Sequence, residues 1–293
     1  MRAPPGFQEA TLAWGERERR DLPWRRTRDP WAVLVSELML QQTQVARVVP
    51  RYRAFLRRFP SPSRCAAAPV GEVVRAWAGL GYNRRAVHLH AAARAAVERF
   101  GGRLPATLAE LRSLPGVGPY TARAVLAFAH DADAVGVLDT NAARVLARAV
   151  AGRPLAPAEA QILADASVPA GQGWAWNQAM LDLGAMVCTR RRPRCGDCPL
   201  PGTGACAWAL AGHPEPDPAR STAGAATPQS RFAGSDRQGR GRLVDALRRG
   251  PVAGAAVAAV CGRPADPERA RRVAASLVAD GLIVQRGSHY DLP

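Results

Sequence analysis

Leu114-Pro115-Gly116-Val117-Gly118-Pro119-Tyr120, reading LPGVGPY, lies between two segments with helical spacing. Its glycines permit a tight turn, and the helix opened by Pro119 presents unpaired backbone N–H groups at its start. Such groups bind a phosphate without reading base sequence. Turns of this kind also serve simply to join helices, so the surroundings decide the meaning.

Those surroundings are helical. Asp29-Pro30 is a helix start, with Asp as N-cap and Pro at the first helical position. Apolar residues then fall at Leu34, Leu38, Val45, Val48, Tyr52, Phe55 and Phe59, near helical spacing with a break between. Further helices fit 71–78, 84–99, 107–113, 119–129, 140–150, 157–166 and 174–186. Strand-like alternation is absent, so residues 8–211 read as an all-α body. Residues 213–230 (HPEPDPARSTAGAATPQS) lack large apolar side chains and read as a linker. Beyond them, helices fit 240–249, 252–261 and 267–280, followed by a hairpin over 282–292 around Arg286-Gly287-Ser288. Three helices and a hairpin make a small winged-helix-like module at 231–293.

The chain has 293 residues and a net charge of +16, and all 40 of its basic residues are Arg. Residues 1–213 carry 28 Arg against 16 acids, and residues 214–293 carry 12 against 8. The basic excess suits a polyanion such as nucleic acid, although an Arg-, Ala- and Gly-rich composition also follows from a GC-rich genome. No run of 18 apolar residues occurs, and the first twenty residues lack a signal peptide's apolar core. A cytoplasmic protein with no membrane partner is expected.

Two further features carry chemistry. VLVSELMLQQ (33–42) sets Glu37 inside an apolar run, where a buried carboxyl is normally neutralised or paired. Cys188, Cys195, Cys198 and Cys206 follow the spacing C-x6-C-x2-C-x7-C. Clustered cysteines in a cytosolic chain read as metal ligands, for zinc or an iron–sulfur cluster. Cys65 and Cys261 stand alone and read as small apolar residues. Asp139, in VLDTN (137–141), lies 21 residues past Gly118 and opens a helix, where an N-cap is the plain reading.

Taken together, these stretches resemble the iron–sulfur DNA glycosylases of the endonuclease III superfamily. Their cluster signature is C-x6-C-x2-C-x5-C, and this chain adds two residues before Cys206. Within the superfamily, residues 20–210 are most similar to the adenine DNA glycosylases (MutY family). The strings that carry the likeness are LPWR (22–25), SELMLQQTQVARVVPRY (36–52), GLGYN (79–83), LPGVGPYTARAV (114–125), VLDTN and NQAMLDLGAMVC (177–188).

The resemblance implies a two-lobed helix–hairpin–helix glycosylase fold with a [4Fe–4S] cluster held by the four cysteines. One lobe would comprise 1–24 and 134–212 and carry the cluster; a six-helix lobe would span 25–133. It implies excision of adenine opposite 8-oxoguanine or guanine in double-stranded DNA, by a monomer that joins the bacterial nucleoid when engaged. Glu37 would protonate the base at N7, and Asp139 would stabilise the oxocarbenium-like sugar. Tyr120 and Asn141 match positions that assist near the sugar and the acid. Trp24, Arg25 and Gln178 match adenine-pocket positions. Gln42 and Tyr82 match the wedge at the lesion, Gln41 at the end of the same helix is a DNA-binding candidate, and Leu114, Gly116, Val117 and Gly118 match the DNA-binding hairpin.

Endonuclease III-type members carry a Lys just after LPGVG. Here the position is Tyr120 and the chain has no Lys, so a lysine Schiff base is excluded and a monofunctional hydrolase is expected. The Nudix-like domain that many relatives use to recognise 8-oxoguanine does not fit in residues 231–293. A thymine/uracil mismatch glycosylase and a zinc-bearing DNA-binding regulator stay open as alternatives.

Overall fold

The computed structural model describes residues 3–223 and 231–293. It divides into two compact units, Met1–Val33 with Gly118–Pro228, and Leu34–Val117 with Gln229–Pro293.

The first unit is helical. Helix α1 (Phe7–Glu18) packs on α11 (Gly173–Asp182), with the Phe7 and Trp176 rings edge to face at 5.5 Å. Around them come α8 (Pro119–Ala129), α9 (Thr140–Val145), α10 (Pro157–Ala166) and α12 (Ala207–Leu210). The core combines Phe7, Trp14, Leu146, Leu163, Trp176, Leu183 and Trp208. Both α9 and α11 run on into π-helical turns, Leu146–Ala151 and Leu183–Val187, and the second delivers the chain to Cys188. Such turns replace the single long helices expected over 140–150 and 174–186. Gly184 makes one crossing possible, because a Cβ there would stand 2.6 Å from the Asn141 carbonyl oxygen.

Residues 213–223, linker-like in composition, pack on this unit. Asp217 is buried against Arg148 at 2.6 Å, and Thr222 Oγ1 accepts the Leu155 amide at 3.1 Å. The rest of the expected linker, 224–230, lies outside the described residues.

The second unit contains α2 (Pro30–Leu40), which runs across the division at 33/34, then α3 (Val45–Arg58), α4 (Pro62–Ala66), α5 (Val70–Ala76), α6 (Arg84–Phe100) and α7 (Leu108–Arg112). Ala92, Ala93 and Ala96 are fully buried on α6, and their small side chains let α4 lie close. The C-terminal residues belong here too. Helices α13 (Asp236–Leu247), α14 (Val257–Val260) and α15 (Pro267–Ala279) surround Leu243, Val273 and Leu277. Strands β1 (Val252–Ala253), β2 (Val284–Arg286) and β3 (His289–Asp291) form an antiparallel sheet in the order β1-β3-β2.

Helix, strand, two helices and a hairpin are the order of a winged helix. The helix expected over 252–261 is therefore corrected: Val252 pairs with Tyr290, and α-helix begins only at Val257. The tail is fastened to the lobe. The Pro293 carbonyl accepts the Gly71 amide at 2.8 Å, and the Arg248 guanidinium donates to the Val74 carbonyl at 3.1 Å and to Asn83 Oδ1 at 2.8 Å. No helix among the described residues is long and apolar enough to cross a membrane.

Candidate active site

Helix α2 starts as its sequence dictates, with Asp29 Oδ1 accepting the Trp31 amide at 3.0 Å. Every residue from Trp31 to Met39 is buried, and Glu37, between Leu34 and Leu38 in that wall, is only 5 % exposed. The helix ends at Leu40 and the chain turns through Gln41 and Gln42. Gln42 is exposed and left-handed, with φ 55°. Tyr82 is also left-handed, at φ 44°, and its side chain is 43 % exposed. A non-glycine residue in that region is strained and concentrates at functional positions.

One side chain ties both turns together. The buried Arg85 guanidinium donates to the carbonyls of Leu38 (2.7 Å), Met39 (2.9 Å) and Gln41 (2.5 Å) at the end of α2. It also donates to the carbonyls of Leu80 (3.2 Å) and Gly81 (2.9 Å) and to Thr43 Oγ1 (3.0 Å). Burial pulls its pKa down to about 10, so it is still charged at neutral pH. Sequence reading missed this residue. The signal was its spacing, since Arg85, Leu89, Ala92 and Ala96 share the buried face of α6 whereas Arg84 is exposed.

The hairpin from α7 to α8 has the expected form. Leu114 and Val117 are buried, and Gly116 and Gly118 are exposed. The Val117 amide donates to the Leu114 carbonyl at 3.1 Å, and Pro119 opens α8. Gly116 is irreplaceable twice over, because its φ is +75° and a Cβ would stand 2.5 Å from His88 Cβ.

Asp139 caps α9. Its Oδ1 accepts the Asn141 and Ala142 amides, both at 2.7 Å, and its Oδ2 accepts Asn141 Nδ2 at 2.7 Å. Burial pushes this carboxyl above the ordinary aspartate range, although the three donors and Arg144 favour the ionised form. Arg144, also missed from sequence, holds this corner. It donates to Asn141 Oδ1 (2.9 Å) and to the carbonyls of Thr140 (2.8 Å), Gly184 (2.6 Å) and Cys188 (3.0 Å). A continuous path of hydrogen bonds thus runs from Asp139 through Asn141 and Arg144 to the first cysteine of the cluster.

Trp24 and Gln178 are buried, and Tyr120 is half-buried on the first turn of α8. Arg25 faces inward as an ion pair. Its two terminal nitrogens donate to Asp182 at 2.5 and 2.8 Å and one also to the Arg20 carbonyl at 3.0 Å. Asp182 is fully buried, and these arginine contacts hold its carboxyl below the usual range. The guanidinium of Arg25 is thereby committed within the protein.

Cys188, Cys195, Cys198 and Cys206 line one small cavity, with Val145, Leu200 and Trp208 on its apolar side. Arg148 Nη1 donates to Cys188 Sγ at 3.3 Å while Asp217 pairs its other edge. Burial pushes the Cys198 thiol up to about 12, so a cation must replace its proton for it to act as a thiolate. Among the described residues, no group of three or more Cys, His, Asp or Glu side chains is placed as a metal site.

By unit, Glu37, Gln41, Gln42, Tyr82, Leu114, Gly116 and Val117 fall in the second. Trp24, Arg25, Gly118, Tyr120, Asp139, Asn141, Gln178 and the cysteines fall in the first.

Residues 35–167 match the description of the HhH-GPD superfamily of base excision DNA repair proteins. The chain is 44% identical to the adenine DNA glycosylase of Mycolicibacterium smegmatis over 280 residues, 94% of this chain and 91% of that protein. The chain belongs to the HhH-GPD superfamily. Its match to the human adenine DNA glycosylase, 43% identical, spans 66% of this chain and 38% of that protein. The solved structure of a thermostable thymine-DNA glycosylase superposes with a TM-score of 0.63 at 29% identity, covering 70% of this chain and 95% of its own. Superfamily membership thus accounts for the helical body, while the M. smegmatis match also extends across most of the winged tail.

Proposed function

We propose that this chain is a monofunctional adenine DNA glycosylase of base excision repair, acting on adenine opposite 8-oxoguanine or guanine. The observation that carries the reading is the contrast between two carboxyls. Glu37 lies within the buried run Trp31–Met39 of α2, and Asp139 caps α9 with three N–H donors on its carboxylate. Unlike environments give two like groups an acid role and a charge-stabilising role.

Adenine leaves the stack before its glycosidic bond is reached. Glu37 gives its proton to N7, the C1′–N9 bond breaks, and the electron pair departs with the base. Asp139, ionised, faces the positive sugar until water adds at C1′ and returns a proton to the Glu37 carboxylate. Asn141 orients that carboxylate through its two bonds to it, and Tyr120 adjoins the sugar. Trp24 and Gln178 line the base pocket, and Arg25 supports it from behind through Asp182. Gln41, Gln42 and Tyr82 fill the gap in the duplex. The amides of the 114–118 turn and the start of α8 grip a phosphate. With no lysine in the chain, the abasic product is left without strand cleavage by a Schiff base.

The four cysteines would hold a [4Fe–4S] cluster. Four thiols lining one cavity and the Arg148 cation against Cys188 favour that group. When bound, it supplies a rigid cross-link for residues 188–206. The enzyme is assigned to the bacterial cytoplasm, on the nucleoid when engaged, as a monomer.

Single-turnover base release from duplexes bearing A:8-oxoguanine, A:G, T:G and U:G tests the reading. Release of adenine from the first two is expected; release of thymine or uracil alone would overturn it in favour of the mismatch glycosylases that the thymine-DNA glycosylase likeness supports.

A further inference from the structure

The second unit holds a groove of about 780 Å³ that is separate from Glu37 and from the phosphate turn. Gln42, Tyr82 and Arg47 line one side of it. Phe232 and Arg237, from the winged tail, line the other. Its volume lies in the range of small-ligand pockets, roughly 300–1,000 Å³.

The tail side is built to touch something. Phe232 is 58 % exposed, yet its carbonyl accepts both the amide (3.1 Å) and the Oγ (2.7 Å) of Ser235, which caps α13. The ring is therefore presented in water by a fixed turn. The Arg237 guanidinium lies 5.9 Å from its centre. Arg240, deeper in the wall, pairs with Asp280 at 2.5 Å and so serves the packing of α13 on α15. Arg47, opposite, is exposed. An exposed aromatic ring flanked by guanidinium groups in a trough is the chemistry that grips a nucleic-acid strand, with base on ring and phosphate on cation.

We propose that this groove binds the DNA strand opposite the extruded adenine, with Phe232 stacked on a base beside the vacancy and Arg237 and Arg47 on its phosphates. The strand follows from the wedge: Gln42 and Tyr82 occupy the place adenine leaves, so what faces them is the strand that has lost its partner. The inference rests on the glycosylase reading above.

The test uses the full chain and its Phe232→Ala, Arg237→Ala and Arg47→Ala variants. Binding to an A:8-oxoguanine duplex is followed by fluorescence anisotropy at several salt concentrations. 2-Aminopurine next to the lesion is placed in either strand as a stacking probe. Each Arg variant is expected to weaken binding and to reduce the slope of log affinity against log salt by about 1. Phe232→Ala is expected to weaken binding about 10-fold with the slope unchanged, and to alter 2-aminopurine fluorescence only in the opposite strand. Wild-type affinity and slope in the variants, or a probe response confined to the adenine strand, would overturn the groove assignment. Failure of the wild-type protein to release adenine from any duplex would instead overturn the glycosylase reading beneath it.

Discussion

Glu37 and Asp139 sit on elements that are each pinned by a buried arginine bonded mainly to carbonyl oxygens. Arg85 binds three carbonyls within one turn after Glu37, and Arg144 binds three around the turn that Asp139 caps. Among the described residues neither guanidinium makes a hydrogen bond to a carboxylate, and burial lowers both pKa values. The difference lies in reach. Arg85 is bonded to the end of α2 through the carbonyls of Leu38 and Met39. Arg144 reaches the Asp139 carboxylate through a single intermediary, Asn141. One corner is thus built to hold a shape, the other to hold a charge.

The comparison can be broken at its chemistry first. Glu37→Gln is expected to lower single-turnover adenine release by about 1,000-fold while duplex binding persists, since a positioned acid contributes roughly 10²–10⁴. Asp139→Asn should cost about 100-fold or more, the order of a lost electrostatic stabiliser. Its stability should move the other way. Asn caps a helix as well as Asp, and the wild-type carboxyl has a folded pKa raised by burial. Stability is therefore lost as pH rises from the ordinary aspartate value up to the raised folded one, a penalty absent at lower pH and removed by Asn. The melting temperature of Asp139→Asn relative to wild type should climb as pH rises above the ordinary aspartate range and level off once the folded carboxyl is ionised. For the same reason the acid limb of the wild-type rate profile should lie above the ordinary aspartate range.

The two arginines sharpen the contrast. Arg85→Ala strips donors from six carbonyls and a hydroxyl, and should lower unfolding stability by about 3 kcal/mol at roughly 1 kcal/mol for each effective bond. Chemical denaturation measures it. Arg144→Lys keeps the charge but loses the planar fork. It should cost about 10-fold in adenine release and shift the acid limb, with a smaller effect on melting. An Arg85→Lys protein whose acid limb moves as far would erase the distinction.

Much of this was legible in the chain. Pro119 and Pro157 at helix starts gave α8 and α10 their bounds, and Asp139 announced its cap. What escaped depends on partners far along the sequence. Strand β1 has two residues and exists only because Tyr290 lies beside Val252. Asp217 looked like linker because the guanidinium that buries it belongs to Arg148, 69 positions earlier. Arg84 and Arg85 differ in nothing but helical phase, and phase decides which enters the core. The π-helical turns before the cysteines have no pattern in hydrophobicity to betray them.

Gln42 and Tyr82 hold left-handed backbone that glycine would adopt freely, at a cost of about 1–2 kcal/mol each for a residue with a side chain. Random mutation screened for heat resistance alone would favour glycine at both places. On the proposed wedge role, the product would be a sturdier protein with less to push into a duplex. Retaining the glutamine and the tyrosine is thus a standing debt against stability, and thermostabilised variants should be checked there first for lost repair.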